Sequence, residues 1–126
     1  MIIGAHFLLY SKDADADRTF FRDVLKWRAV ELGGNWLIFQ LPPAELAVHP
    51  GDGSFVQQHG EGRLLGTVLY LMCDDLAAAM RDMEAQGVRC SPVSKADWGS
   101  STTLRLPSGG EIGLYQPTHK TAISGT

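Results

Sequence analysis

One feature constrains this chain more than any other: its two halves follow the same plan. "GAHFLLYSKDADADRTFFRDVL" starts at Gly4 and "GTVLYLMCDDLAAAMRDMEAQG" at Gly66. Each opens on an apolar run of strand length, reaches an aspartate nine residues after its glycine (Asp13, Asp75) and then turns helical. Phe20, Phe21, Val24 and Leu25 form one helical stripe, and Leu76, Met80 and Met83 form another. The aspartates suit helix N-caps and the positive end of the helix dipole, and Gly87 suits a C-terminal stop.

Three strand-like runs follow each helix. They are Trp27–Leu32, Trp36–Leu41 and Ala44–His49 in the first half, and Arg89–Ser94, Ser101–Leu106 and Glu111–Gln116 in the second. "LPPAELAVHP" and "LPSGGEIGLYQP" join the last two runs of each half through a proline-bearing turn. The expected fold class is therefore α+β, built from two tandem βαβββ modules within a single domain over residues 1–117. Module one spans 3–50, a Gly/Pro-bearing linker 51–63 and module two 64–117, and residues 118–126 read as a loose tail.

The 126 residues suit one compact unit, and 44% hydrophobic content supports a folded core. A net charge of −3 offers no basic surface for nucleic acid. The apolar runs fall far short of a membrane span, and Met1-Ile2-Ile3 has no basic leader, so a cytoplasmic location is expected. Cys73 and Cys90 fit neither a disulfide framework nor a zinc spacing and read as buried thiols. Ser100, Ser101, Thr102 and Thr103 lack the partners of a nucleophilic triad.

The opening "HFLLYSKDADADRTFFRDVLKW" resembles that of the vicinal oxygen chelate superfamily, which includes glyoxalase I, extradiol dioxygenases, fosfomycin-resistance enzymes and bleomycin-binding proteins. His6 and Asp13 keep the spacing of that pattern, Phe20-Phe21 stands where Phe-Tyr is usual, and Asp23-Val24-Leu25-Lys26 ends on lysine in place of glycine. "PSGGEIGLYQP" is similar to the closing motif, with Gly113 where that motif carries a glutamate. The resemblance covers Ile3–Pro117 and implies an open curled sheet, a cup, with the helices outside, and a homodimer formed by module exchange or edge contact. It does not choose among the superfamily's chemistries.

Metal-dependent members hold their ion with four strand residues, and the resemblance allows each to be placed. His6 matches the first. The second falls on Val68, which cannot coordinate. The third falls on Gly113, where the carboxylate is missing. The fourth is Leu46 by the Leu-Pro landmarks, or Glu45 if the register slips by one residue, which would turn that strand over. Two ligands lost leaves too few for a catalytic ion, although Glu111 lies on the same strand face as Gly113. No cofactor is expected on this reading; a divalent metal would require Glu45 or Glu111 to stand in.

Strand alternation then assigns the walls of the cup. His6, Leu8 and Tyr10 share one face, as do Val68, Tyr70 and Met72, and Glu111, Gly113 and Tyr115. Ile38 and Gln40 correspond to Thr103 and Arg105. The candidate ligand-binding residues are His6, Tyr10, Trp36, Gln40, Tyr70, Trp98, Arg105, Glu111 and Tyr115, a mixture suited to a small organic molecule. Each has a plainer explanation: half-buried strand tyrosines, a cross-strand Arg105–Glu111 ion pair, tryptophans closing a core edge, a histidine in the core. His49, His59 and His119 read as solvated. The expected function is metal-free binding of a drug or metabolite; the alternative is a metal-dependent lyase, dioxygenase or thiol transferase of the glyoxalase type, so enzymatic activity stays open.

Overall fold

The computed structural model describes residues 1–123. Helix α1 spans Ala14–Asp23 and is followed by a hairpin of β1 (Ala29–Glu31) and β2 (Leu37–Phe39). A second hairpin joins β3 (Val56–His59) to β4 (Gly62–Leu65). Next come β5 (Tyr70–Met72), α2 (Leu76–Ala85), β6 (Ser94–Ala96), β7 (Gly99–Arg105) and β8 (Glu111–Pro117). The last four strands make one sheet in the order β5-β8-β7-β6, with β5 parallel to β8 and the other pairs antiparallel. The architecture is α+β, with small open sheets and, among the described residues, no closed barrel.

Both helices start where the aspartates place them. The Asp13 carboxylate accepts from the Ala16 N–H at 3.2 Å, and that of Asp75 from the Ala78 N–H at 3.0 Å. Each bond satisfies one of the N–H groups that a helix start leaves unpaired. Gln86 caps the end of α2, and Gly87 follows with φ 82°. The apolar stripes face a common core. Phe20 and Phe21 of α1 join Leu76, Val88, Leu104, Leu106, Ile112 and Leu114 in one buried cluster, with Val24, Leu25, Met80 and Met83 packed against it.

Alternation sorts the strands as expected. Leu104, Ile112 and Leu114 point to the helices, while Thr103, Gly113 and Tyr115 lie on the other face. From the helix-facing side, Gln116 sends its side-chain carbonyl to the Leu76 N–H at 2.9 Å, tying β8 to the start of α2. Asp17 clamps the two halves together. Its buried carboxylate accepts from the Ser11 hydroxyl at 2.6 Å and from the Ser108 N–H at 3.0 Å, in the turn between β7 and β8.

The chain departs from expectation in four places, two of them in the first module. The apolar run from Gly4 to Tyr10 and the run Ala44–His49 are not strands. Their backbones find no ladder, and Ile3 and Val48 are 100% and 88% exposed. The reason is non-local: a strand needs an edge to pair with, and the first-half sheet of this single chain has only two strands. The stretch read as a linker carries β3 and the start of β4. His59 pairs with Gly62 across a two-residue turn whose first residue, Gly60, has φ 60°, which suits a hairpin that needs glycine there. The tail is also tied down as far as it is described. The Thr118 N–H donates to Trp98 O at 3.0 Å, its hydroxyl to Asp97 O at 2.8 Å, and the Ala122 N–H to Glu45 Oε1 at 2.8 Å. Residues 124–126 of the expected tail lie outside the described residues.

Candidate small-molecule site

The open face of the four-stranded sheet carries the site. The parallel register sets Tyr70 beside Gly113, and the antiparallel register sets Gly113 beside Thr103. Glycine at 113 is a matter of space. A Cβ there would overlap the Tyr70 ring, with even Cγ, the ring atom nearest the backbone, only 2.7 Å away. The phenol ring lies over the glycine, in the space that a side chain from position 113 would enter.

Tyr70 also anchors an aromatic cluster. Its ring meets Trp98 edge-on at 6.1 Å and Tyr115 at 5.5 Å, and Trp98 meets Tyr115 at 5.4 Å. Such edge-to-face pairs place the positive ring edge on the negative ring face. Trp98 sits in the turn between β6 and β7, where Ala96 pairs with Gly99. His119 closes the far side. It lies nearly parallel to Tyr115 at 24°, and its Nε2 is 3.2 Å from the Tyr115 hydroxyl. His119 is exposed, as read from the sequence, yet has a partner in Tyr115, and no sequence signal marks that contact beyond its place four residues after Tyr115. Burial, and secondarily the Glu45 carboxylate, push the Tyr115 phenol above its ordinary pKa.

Beside Tyr70 opens a cavity of about 330 Å³, with Leu9, Val68 and Ile112 among its apolar walls and Gly113, Thr103 and Glu111 along β7 and β8. Tyr70, Glu111 and the Val68 and Gly113 positions thus come together as alternation predicts, and Trp98 and Tyr115 adjoin through the aromatic cluster. From the first segment it is Leu9 that reaches the cavity, not Leu8, because the segment is not held in strand register.

The remaining candidates lie apart. His6 is exposed on the unpaired first segment and is not among the residues lining the cavity. Tyr10 hydrogen-bonds the His59 ring through its hydroxyl, so His59 too has a partner. Trp36 carries the Arg18 guanidinium of α1 over its ring at 4.7 Å, which places it with the helix and not at a cup rim. Gln40 is exposed and engages Arg28 O through its backbone. Arg105 stands opposite Glu111 in register but forms no ion pair with it; its guanidinium lies near the Gly109 turn, 3.9 Å from where a Cβ at that position would be. Of the two register options near Pro50, Glu45 turns toward Tyr115 and the tail, while Leu46 is 81% exposed. Because 44–49 is not in a strand, no ladder register decides between Leu46 and Glu45 as the inward residue.

The residues present do not fit the metal of the metal-dependent relatives. Valine and glycine offer no donor, and the Tyr70 ring fills the space before Gly113. Among the described residues, no three His, Cys, Asp or Glu side chains converge. Burial raises both thiols above their ordinary pKa, against a backbone hydrogen bond from Asp75 at Cys73 and helped by Glu84 at Cys90, so neither has the character of an activated nucleophile.

No family model matches the chain, and neither does any curated protein. Solved structures do. TnmS3, an antibiotic-binding protein from Streptomyces, superposes with a TM-score of 0.59 at 18% identity, covering 94% of this chain and 99% of that one. Lactoylglutathione lyase from Agrobacterium tumefaciens gives 0.60 at 18% identity, over 90% and 92%. A glyoxalase/bleomycin resistance protein/dioxygenase superfamily member from Sphaerobacter thermophilus gives 0.56 at 22% identity, over 91% and 98%. The fold is that of the vicinal oxygen chelate superfamily. A vicinal oxygen chelate fold is shared by binding proteins and enzymes, so the activity has to be argued from the site.

Proposed function

We infer that this chain binds a small organic molecule on the open sheet face without a metal ion. The observation that carries this reading is the Tyr70 ring lying over Gly113, where a metal-binding carboxylate would otherwise stand. An apolar cavity beside an aromatic cluster, with few polar groups, is the makeup of a small-molecule site. The similarity to an antibiotic-binding protein supports the same reading, as does the lack of converging donors among the described residues. No helix among the described residues is long and apolar enough to cross a membrane.

The working unit on this reading is a homodimer. The chain exposes 9390 Å², whereas a compact protein of 13.7 kDa exposes about 6,600 Å². The excess of about 2,800 Å² per chain is well above the roughly 800 Å² that each partner buries in a standard interface and matches only the large interfaces of obligate dimers. Apolar side chains in and beside the unpaired runs, Ile2, Ile3, Leu46 and Val48, are among the most exposed. Pairing with a second copy would give those runs the sheet edges they lack and complete the first βαβββ module.

A thermal-shift screen of aromatic antibiotics and thiol conjugates, with and without EDTA, tests the binding reading. A ligand that raises the melting temperature equally in both conditions supports it by mass action. Stabilisation seen only with a divalent ion present would favour the lyase, dioxygenase or thiol transferase alternative.

A further inference from the structure

The charges around the cavity point to a class of ligand. Glu111 is the one ionisable carboxylate or base among the acidic and basic side chains lining it, and its carboxylate has no hydrogen-bond or ion-pair partner among the described residues. Arg105, the residue opposite in the ladder, would be the natural partner, but its guanidinium lies by the Gly109 turn. The rest of the wall is apolar or uncharged, and the phenol ring of Tyr70 projects over it. A ring face attracts a cation through its quadrupole, and a carboxylate attracts it directly. An anion here would face Glu111 with no compensating cation in the cavity wall.

We propose that the cavity beside Gly113 selects an organic cation, an ammonium or amidinium group on an apolar or aromatic body, with the cationic group at Glu111 and the body against Tyr70 and Val68. This rests on the small-molecule reading above and adds its charge preference. The cavity of about 330 Å³ suits a compact molecule at the small end of ordinary ligand sites. Glu45, on the Tyr115 side of the aromatic cluster, adds a second negative charge to that face.

Isothermal titration of the intact protein with three probes of similar shape tests the proposal: 2-phenylethylammonium, neutral 2-phenylethanol and anionic 3-phenylpropionate. The ammonium should bind most tightly. Glu111→Gln should weaken it about tenfold or more, the loss expected for a charge-assisted hydrogen bond, and should weaken the alcohol far less. If the alcohol or the carboxylate binds as well as the ammonium, or if Glu111→Gln leaves ammonium binding untouched, the charge preference is wrong while the binding site stands. If none of the three binds, the small-molecule reading of this cavity fails with it.

Discussion

Tyr70 and Gly113 are partners in the parallel ladder between β5 and β8, and the tyrosine ring lies across the glycine so closely that no Cβ fits. The glycine that weakens β8 on paper is what lets the ring approach the strand so closely, with Trp98 and Tyr115 packed around it. Gly113→Ala should therefore displace the ring. We expect a loss of about 1–3 kcal/mol in urea unfolding, as in other overpacked sites, with a change in Trp98 fluorescence as its neighbour moves. Tyr70→Ala in the same chain should recover most of the loss, and a double-mutant cycle reads the coupling directly.

Asp17 offers a second test. Its buried carboxylate holds both the Ser11 hydroxyl and the Ser108 N–H. Asp17→Ala leaves that N–H buried and unpaired, so the loss should be about 1–3 kcal/mol. It should exceed the loss from Asp75→Ala, where an exposed N-cap is worth about 1 kcal/mol. Urea denaturation of the two variants side by side decides the order.

Tyr115 makes stability depend on pH at the alkaline end. Burial and Glu45 raise its phenol above the ordinary 10.0, so the folded state keeps the proton after the unfolded chain has lost it. Its contribution to stability is fully present below pH 10.0 and is lost as the pH rises through the raised value. Stability should fall more steeply above that pH in the native protein than in Tyr115→Phe, measured by urea unfolding across the range.

The thiols answer to the same physics. With both raised by burial, Cys73 and Cys90 should react with a disulfide reagent at pH 8 more slowly than a free cysteine. Rates equal to that of the free amino acid would show that the Cys73 site beside β8 opens readily.

How much could be read beforehand depends on how local each feature is. Asp75, the Leu76–Met83 stripe and the alternation through 101–106 and 111–116 each specify structure within a few residues, and the second half forms a complete four-stranded sheet accordingly. Thr103, Gly113 and Tyr115 follow on one face because alternation admits one answer once Leu104 and Leu114 are buried. The runs 4–10 and 44–49 have equally good strand patterns, yet a pattern supplies no partner edge, and their fate turns on contacts far away in sequence or in another chain. The β3–β4 hairpin is hidden by composition, since Gly60 and Gly62 read as linker although Gly60 opens a two-residue turn that Gly62 follows. His119 joins the site through loop geometry, which periodicity does not describe, whereas Trp98 is legible from its place just before a strand.

Pairing of two chains is testable without a ligand. Sedimentation equilibrium should give a mass near twice 13.7 kDa at micromolar concentration. Ile3→Glu and Val48→Glu, which charge the exposed apolar runs, should shift the protein toward monomer.

The metal content of protein purified without chelator tests the central claim most directly. With Val68 and Gly113 in place of ligands and the Tyr70 ring over the site, elemental analysis should find iron, nickel, manganese and zinc each far below one ion per chain. One equivalent of any of them, lost on His6→Ala, would contradict the account.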